Sequence, residues 1–310
     1  MGKIVLFYKY ISIEYPKRLL KWQKKICSDL GLKGRILIAH EGINATLGGS
    51  SKAIDQYIHI MQQHNLFSDI DFKISDGEAD YFPRLEIKVK DEVVRLGIDP
   101  EKLTSKNGGI HLKPEQVHKL IAEHPQDLLI LDARNDYESR IGAFEGAIKP
   151  QIDHFREFPA FIDDNIDSFK NKRVLMYCTG GIRCERATAY LQQKGVAKEV
   201  MQIEGGIVRY AEKYPNGFFK GKNYVFDQRI AIRVTNDILT HCDVCKVPCD
   251  DYTNCLNAEC NEHYISCKAC LVKYNNTCSA DCFELVETGK VKMRPPFKVV
   301  PEQRQTSSKK

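Results

Sequence analysis

The sequence predicts an α/β protein in three parts: an N-terminal α+β sandwich, a central α/β open parallel sheet, and a small cysteine-rich metal-binding segment. Three observations carry this prediction. The first hundred residues alternate in the order β-α-β-β-α-β. Two short, almost wholly apolar runs, Leu128–Leu131 and Val174–Tyr177, lie mid-chain. Nine of the twelve cysteines fall between Cys242 and Cys282.

In the first block, residues 1–98, Ile4–Tyr10 reads as a strand. Pro16–Leu30 reads as an amphipathic helix with Leu19, Leu20, Ile26 and Leu30 on one side. Arg35–Ala39 and Ile43–Leu47 are strand-like, and Ala53–Gln63 is helical by the spacing of Ile54, Tyr57, Ile58 and Met61. Phe72–Ile74 and Leu85–Val94 supply further strands. This order is that of a split-βαβ, ferredoxin-like sandwich. The pair His40-Glu41 reads as a strand-to-strand turn that needs Gly42, with metal ligation or acid–base work as the alternative. Lys17, Arg18, Lys21, Lys24, Lys25 and Arg35 read as a solvated face or an RNA-facing stripe.

Residues 99–112, with Pro100, Ser105, Asn107, Gly108 and Gly109, have linker composition. The second block, 113–220, opens with a helix whose first turn holds Pro114. The runs Leu128–Leu131 and Val174–Tyr177 fit strands buried on both faces of a parallel sheet. Helices are predicted over Phe155–Phe169 and Glu185–Gln193, which makes this block an open sheet with crossover helices.

The second apolar strand delivers Cys178-Thr-Gly-Gly-Ile-Arg183-Cys184 to the carboxyl edge of the sheet, where open α/β folds place ligands. Gly180 and Gly181 let successive amides turn inward as an anion nest. The following helix adds its positive end and Arg183 a full charge. All of these favour thiolate over thiol, so Cys178 is predicted to be nucleophilic. The bland alternative is a cysteine that only packs.

Here the chain resembles the rhodanese domain, whose active loop is a Cys followed by a short glycine-containing turn and an Arg. Leu131-Asp132-Ala133-Arg134, with Tyr137-Glu138 after it, resembles the Asp-x-Arg strand end of that family. Gly142-Ala-Phe-Glu-Gly146-Ala147 resembles its Gly-His-Ile-x-Gly-Ala turn, with Ala143 in place of His. Ile203-Glu-Gly-Gly-Ile207 resembles its late Gly-Gly motif. The resemblance implies that Cys178 is catalytic with Arg183, and that Asp132 and Arg134 support it. Cys184 stands where Ser or Thr is common, either as a resolving thiol or as a small residue at the helix start. Phosphatase loops are one residue longer than the four residues between Cys178 and Arg183.

The order of blocks resembles something narrower. Ala39-His-Glu-Gly-Ile-Asn-Ala-Thr46 comes first, then the Cys178 loop, then Gly221-Lys-Asn-Tyr-Val-Phe-Asp227, then the cysteines. This is similar to a bacterial family of oxygen-dependent tRNA uridine hydroxylases over Phe7 to Cys282. The resemblance implies hydroxylation of the wobble uridine at carbon 5, with tRNA as partner and molecular oxygen as co-substrate. No flavin or nicotinamide fingerprint is present, and neither DNA nor a membrane is expected as partner. The residues themselves reach only an activated cysteine with RNA contact. A persulfide-carrying sulfurtransferase uses the same loop chemistry, and a non-catalytic RNA- or protein-binding module is a third reading.

The third block, 221–289, holds Cys242, Cys245, Cys249, Cys255, Cys260, Cys267, Cys270, Cys278 and Cys282, with His241 and His263 nearby. Cys-x2-Cys pairs let two thiolates reach one tetrahedral ion, so two structural zinc ions and one left-over cysteine are expected. Interleaved pairing and an iron–sulfur cluster both remain open. Residues 290–310 carry seven Lys/Arg against one Glu, which is +6 of a net +5, so the rest sums to about −1. This tail reads as a basic, flexible arm. The opening apolar run is too short for a signal peptide, so the cytoplasm is expected.

Overall fold

The computed structural model describes residues 2–296, 300 and 302–305. These divide into two units, one of residues 2–136 and 146–218, the other of 137–145 and 219–305.

The first unit begins with β1 (Gly2–Tyr10), α1 (Pro16–Asp29), β2 (Lys33–Ala39), β3 (Gly42–Ser50), α2 (Ser51–Gln62), β4 (Lys73–Gly77) and β5 (Leu85–Val89). Strand order is β4-β1-β3-β2, the order split-βαβ topology requires, with β5 added parallel to β2. Alternation turns Val5 and Phe7 inward onto Leu19, Ile26, Ile54 and Tyr57, which α1 and α2 contribute at helical spacing. Buried Gln23 accepts a hydrogen bond from Tyr57 (2.6 Å) and so carries no unpaired oxygen into that core. His40-Glu41 is the two-residue turn of the β2–β3 hairpin. Gly42 there has φ of +154°, and a side chain would meet the Lys9 carbonyl oxygen at 2.1 Å. Glu41 accepts the Val93 N–H (2.8 Å), which gives the pair a structural use.

The same unit continues with β6 (Ile110–Leu112), α3 (Pro114–Ala122), β7 (Leu128–Asp132) and α4 (Asp136–Ser139), where the chain passes into the second unit. It returns through α5 (Phe158–Asp164), β9 (Arg173–Tyr177), α6 (Ile182–Lys194), β10 (Glu199–Ile203) and α7 (Gly206–Lys213). Strands β6-β10-β9-β7 form a wholly parallel sheet. The segment read as a linker contains a 3-10 turn and the edge strand β6, and Gly109 N–H donates to Thr188 (2.8 Å). Three residues suffice for an edge strand, and glycine-rich composition hides them. The helix expected over 155–169 is α5 between two 3-10 turns. Pro159 fixes its first turn, and Asp163-Asp164-Asn165 ends it, because acidic residues are unfavourable at a helix C-terminus.

Arg186 on α6 ties these two parts together. It is fully buried, pairs with Glu92 and lies 3.9 Å from Glu41, and it donates to the Ile98 carbonyl (2.5 Å). Arg186→Met is expected to lower stability by about 3 kcal/mol, since two partly buried carboxylates lose their cation. Urea denaturation of the variant checks this, and an unchanged midpoint would refute it.

The second unit starts with β8 (Gly142–Phe144) and continues with β11 (Phe219–Tyr224), β12 (Ala231–Arg233), β13 (Tyr252–Asn254), β14 (His263–Ile265), α8 (Lys268–Lys273), α9 (Ala280–Glu287) and β15 (Gln303–Arg304). Its larger sheet has the order β15-β12-β11-β8. Thus Tyr137–Glu145, which carries part of the turn motif, clusters with the cysteine-rich part. The tail expected to be free is partly held: β15 pairs with β12, and Glu302 pairs with Lys222 (3.1 Å) and Arg233 (2.9 Å). Its residues 297–299, 301 and 306–310 lie outside the described residues.

Candidate functional site

β9 ends at Tyr177, so Cys178 stands at the carboxyl edge of the parallel sheet with 1% of its surface exposed. The chain then turns through Gly180 and Gly181 into α6. Gly181 has φ of +104°, a side chain there would lie 2.7 Å from the Tyr8 hydroxyl, and its N–H donates to Cys178 Sγ (3.1 Å). Gly206 closes the loop from below. Its φ is +64°, a side chain would meet the Cys178 carbonyl oxygen at 2.4 Å, and the next residue's N–H donates to that oxygen (3.0 Å).

Burial of Cys178 opposes ionisation. A hydrogen bond from the Cys184 thiol, the charge of Arg183 and the N–H groups of Arg183 and Cys184 outweigh it, and the pKa is lowered to about 6. Cys184 goes the other way: burial and the neighbouring Cys178 hold it as a thiol. The loop therefore holds one thiolate beside one thiol at neutral pH. Alkylation of Cys178 by iodoacetamide is expected to rise with pH through a midpoint at about 6 and to level off above it. Peptide mass spectrometry reads the rate, and a midpoint near that of a free thiol would contradict the cradle.

Two shells surround the loop. Behind it, Asp132 and Arg134 form a fully buried pair through Nε (2.9 Å) and Nη2 (2.6 Å), and the guanidinium lies over the Tyr177 ring (5.6 Å). This fixes the strand end that carries Cys178. In front of it, Tyr8 of β1 donates to Glu185 (2.9 Å), which also bonds His111 (3.2 Å). Burial and then Glu185 raise the Tyr8 pKa, so Tyr8 remains a donor. Lys73, 4% exposed, lies over the Tyr8 ring (5.3 Å) and pairs with Asp71 (2.8 Å). A cleft of about 380 Å³ opens here, lined by Tyr8, Lys73, Lys106, His111, Glu185 and Gly205. That volume is of the size that takes a small ligand.

In the second unit the cysteines form two groups of four. Cys242, Cys245, Cys267 and Cys270 make one; Cys255, Cys260, Cys278 and Cys282 make the other, and within each all four sulfurs lie within 4.8 Å of one another. The pairs interleave along the chain. Each group takes two cysteines from a loop and two from the start of a helix, α8 or α9, whose positive end favours thiolates. Sulfur separations of 3.6 Å (Cys245–Cys267), 3.7 Å (Cys260–Cys278) and 3.7 Å (Cys278–Cys282) match the ~3.8 Å that four thiolates about 2.3 Å from one tetrahedral ion must have. Both groups fit a single metal ion better than a cluster, in which the thiolates sit on different irons.

Known proteins match most of this architecture. Three family models cover it: a UPF0176 acylphosphatase-like domain over residues 2–93, a rhodanese-like domain over 113–213 and a rhodanese C-terminal domain over 220–283. A protein of Corynebacterium diphtheriae named tRNA uridine(34) hydroxylase is 41% identical over 295 residues, spanning 91% of this chain and 93% of its own. The chain belongs to the tRNA uridine(34) hydroxylase family. A member from Bacillus licheniformis is 39% identical, covering 90% of this chain and 88% of its own. Among solved structures, a rhodanese-like domain from Anabaena sp. aligns with 36% of this chain and 78% of its own, at 19% identity and a TM-score of 0.30.

For this tRNA uridine(34) hydroxylase family member, the structure brings Cys178, Gly180, Gly181, Arg183 and Cys184 into one loop, with Asp132 and Arg134 behind its strand. It places Cys249 in neither metal group; that cysteine is buried, and its N–H donates to the Thr240 carbonyl (3.2 Å). His263 stacks on Tyr252 (4.4 Å), and neither it nor His241 joins a group. Lys17, Arg18, Lys21, Lys24, Lys25 and Arg35 are all exposed. Sequence reasoning did not find Tyr8, Lys73, His111 or Glu185. The one signal was Tyr8 and Tyr10 at alternate positions of a strand, two aromatic hydroxyls on one face. No helix is long and apolar enough to cross a membrane among the described residues.

Proposed function

We propose that this chain hydroxylates uridine 34 of tRNA at carbon 5 with molecular oxygen, in the cytoplasm, using Cys178 as nucleophile. The observation that carries the reading is the thiolate cradle at Cys178 in a chain that matches tRNA uridine(34) hydroxylases along about nine-tenths of its length. Addition of the thiolate to carbon 6 of the uracil ring loads carbon 5 with an electron pair, which an oxygen electrophile then takes. Arg183 and the loop amides hold the thiolate before attack and receive it again when it leaves. Asp132 and Arg134 act through the strand that positions Cys178. The exposed lysines and arginines of α1 are suited to the phosphate backbone. The two cysteine groups hold zinc, one ion each, as structural sites with no open position.

The test is nucleoside mass spectrometry of tRNA from a host that lacks its own enzyme and carries this chain. Appearance of 5-hydroxyuridine is the expected result. Its absence, together with a persulfide on Cys178, would replace the reading with sulfur transfer.

A further inference from the structure

Insertion of one oxygen atom of O2 into a carbon–hydrogen bond releases the other as water and consumes two electrons and two protons. On the hydroxylation reading, on which this inference rests, the chain needs a source for that pair. We propose that Cys178 and Cys184 are a catalytic dithiol that supplies the two electrons and ends each turnover as a disulfide.

The geometry places the two residues side by side: Gly181 N–H donates to Cys178 Sγ (3.1 Å), the Gly181 carbonyl accepts the Cys184 N–H, and one buried cluster holds both cysteines. Cys184 sits in the first turn of α6, where its N–H is anchored on the Gly181 carbonyl (3.0 Å), so its backbone holds one position while the helix is intact. Both side chains are buried, at 1% and 0% exposure, in one apolar cluster. Arg183 stands between them in sequence and carries the charge that either thiolate needs.

The steps balance. Cys178 thiolate forms a bond to carbon 6, and the electron pair at carbon 5 is taken by O2, which gives a hydroperoxide at carbon 5 once protonated. Cys184 attacks the distal oxygen; the O–O bond breaks, carbon 5 keeps a hydroxyl, and Cys184 becomes a sulfenic acid. Loss of the proton on carbon 5 expels Cys178 from carbon 6 and restores the ring as 5-hydroxyuridine. Cys178 thiolate then displaces the sulfenic oxygen as water and forms the Cys178–Cys184 disulfide. The sum is uridine, O2 and two thiols to 5-hydroxyuridine, one disulfide and one water. An external dithiol then resets the pair.

The change in charge during the reaction favours this order. In the resting loop, the Cys178 thiolate is, after burial, the main influence that keeps Cys184 protonated, while Arg183 acts against it. Once Cys178 is bonded to carbon 6 that negative charge is gone, and Cys184 ionises more easily at the moment it is needed.

The test uses the intact protein, fully reduced and freed of reductant under anaerobic conditions, mixed with excess unmodified tRNA and oxygenated buffer. The expected result is about one 5-hydroxyuridine per chain with one Cys178–Cys184 disulfide per chain, located by peptide mass spectrometry. Added dithiothreitol is expected to restore many turnovers. Cys184→Ser is expected to lose at least tenfold in rate with dithiothreitol present while still binding tRNA. Many turnovers without reductant, product without that disulfide, or a full rate in Cys184→Ser would each overturn the pairing and leave hydroxylation standing. No product with dithiothreitol present would overturn the hydroxylation reading and the pairing with it. The stoichiometry on the unaltered chain decides the matter even if the variant fails to fold.

Discussion

Cys178→Ser is expected to reduce 5-hydroxyuridine formation at least ~10³-fold, with tRNA affinity changed less than about twofold. Serine is nearly the same size, so the buried loop keeps its packing. The difference is ionisation. The cradle that brings a thiol down to about 6 cannot bring an alcohol into the neutral range, so the variant offers carbon 6 no anion. Single-turnover measurement with excess protein reads the chemical step directly. A residual rate within tenfold of the unaltered chain would remove Cys178 from the chemistry, whatever its acidity.

The second large effect concerns the metal groups. Metal analysis is expected to find two zinc ions per chain. Cys242→Ser or Cys255→Ser should each lower that number by at least one, whereas Cys249→Ser should retain two. Chelation is expected to unfold this segment, seen as loss of hydrogen-exchange protection across β13 and β14. The reason is the small core: Ile141, Cys249, Tyr252 and Ile265 are buried there beside Cys242 and Cys270. So little apolar surface does not offset the chain entropy of the segment, and structural zinc contributes on the order of 10 kcal/mol of apparent binding energy in comparable sites. Loss of metal on Cys249→Ser, or intact protection after chelation, would contradict the assignment.

Much of the fold was legible because local pattern and burial agree in it. The five strands and two helices of the first block follow from apolar spacing that the core at Val5, Phe7, Ile54 and Tyr57 uses as written. The Cys178 loop was legible for a different reason: glycines, a charge and a strand end fall within seven contiguous residues. What was not legible is what distant segments bring to that loop. Tyr8 meets Glu185 across 177 positions of sequence, and the alternation of Tyr8 with Tyr10 says nothing of that partner. The metal groups lie between these cases. The Cys-x2-Cys spacing marked candidate ligands, but which pairs come together is decided by the fold of the segment, and Cys249, as buried as Cys270, stands outside both groups.

The path of the chain through β8 has a consequence for dissection of the molecule. The polypeptide leaves the first unit after residue 136, returns at 146, and leaves again after 218. A fragment that starts at Phe219 would contain both cysteine groups and still lack β8, one of the two strands beside β11. The backbone groups of Phe219, Lys220 and Gly221, which β8 pairs, would become an open sheet edge, a template for self-association. The rhodanese-like part, cut after residue 218, would in turn carry residues 137–145 with no sheet to join. A cut at residue 218 thus leaves each half without a partner strand that is encoded on the far side of a chain crossing.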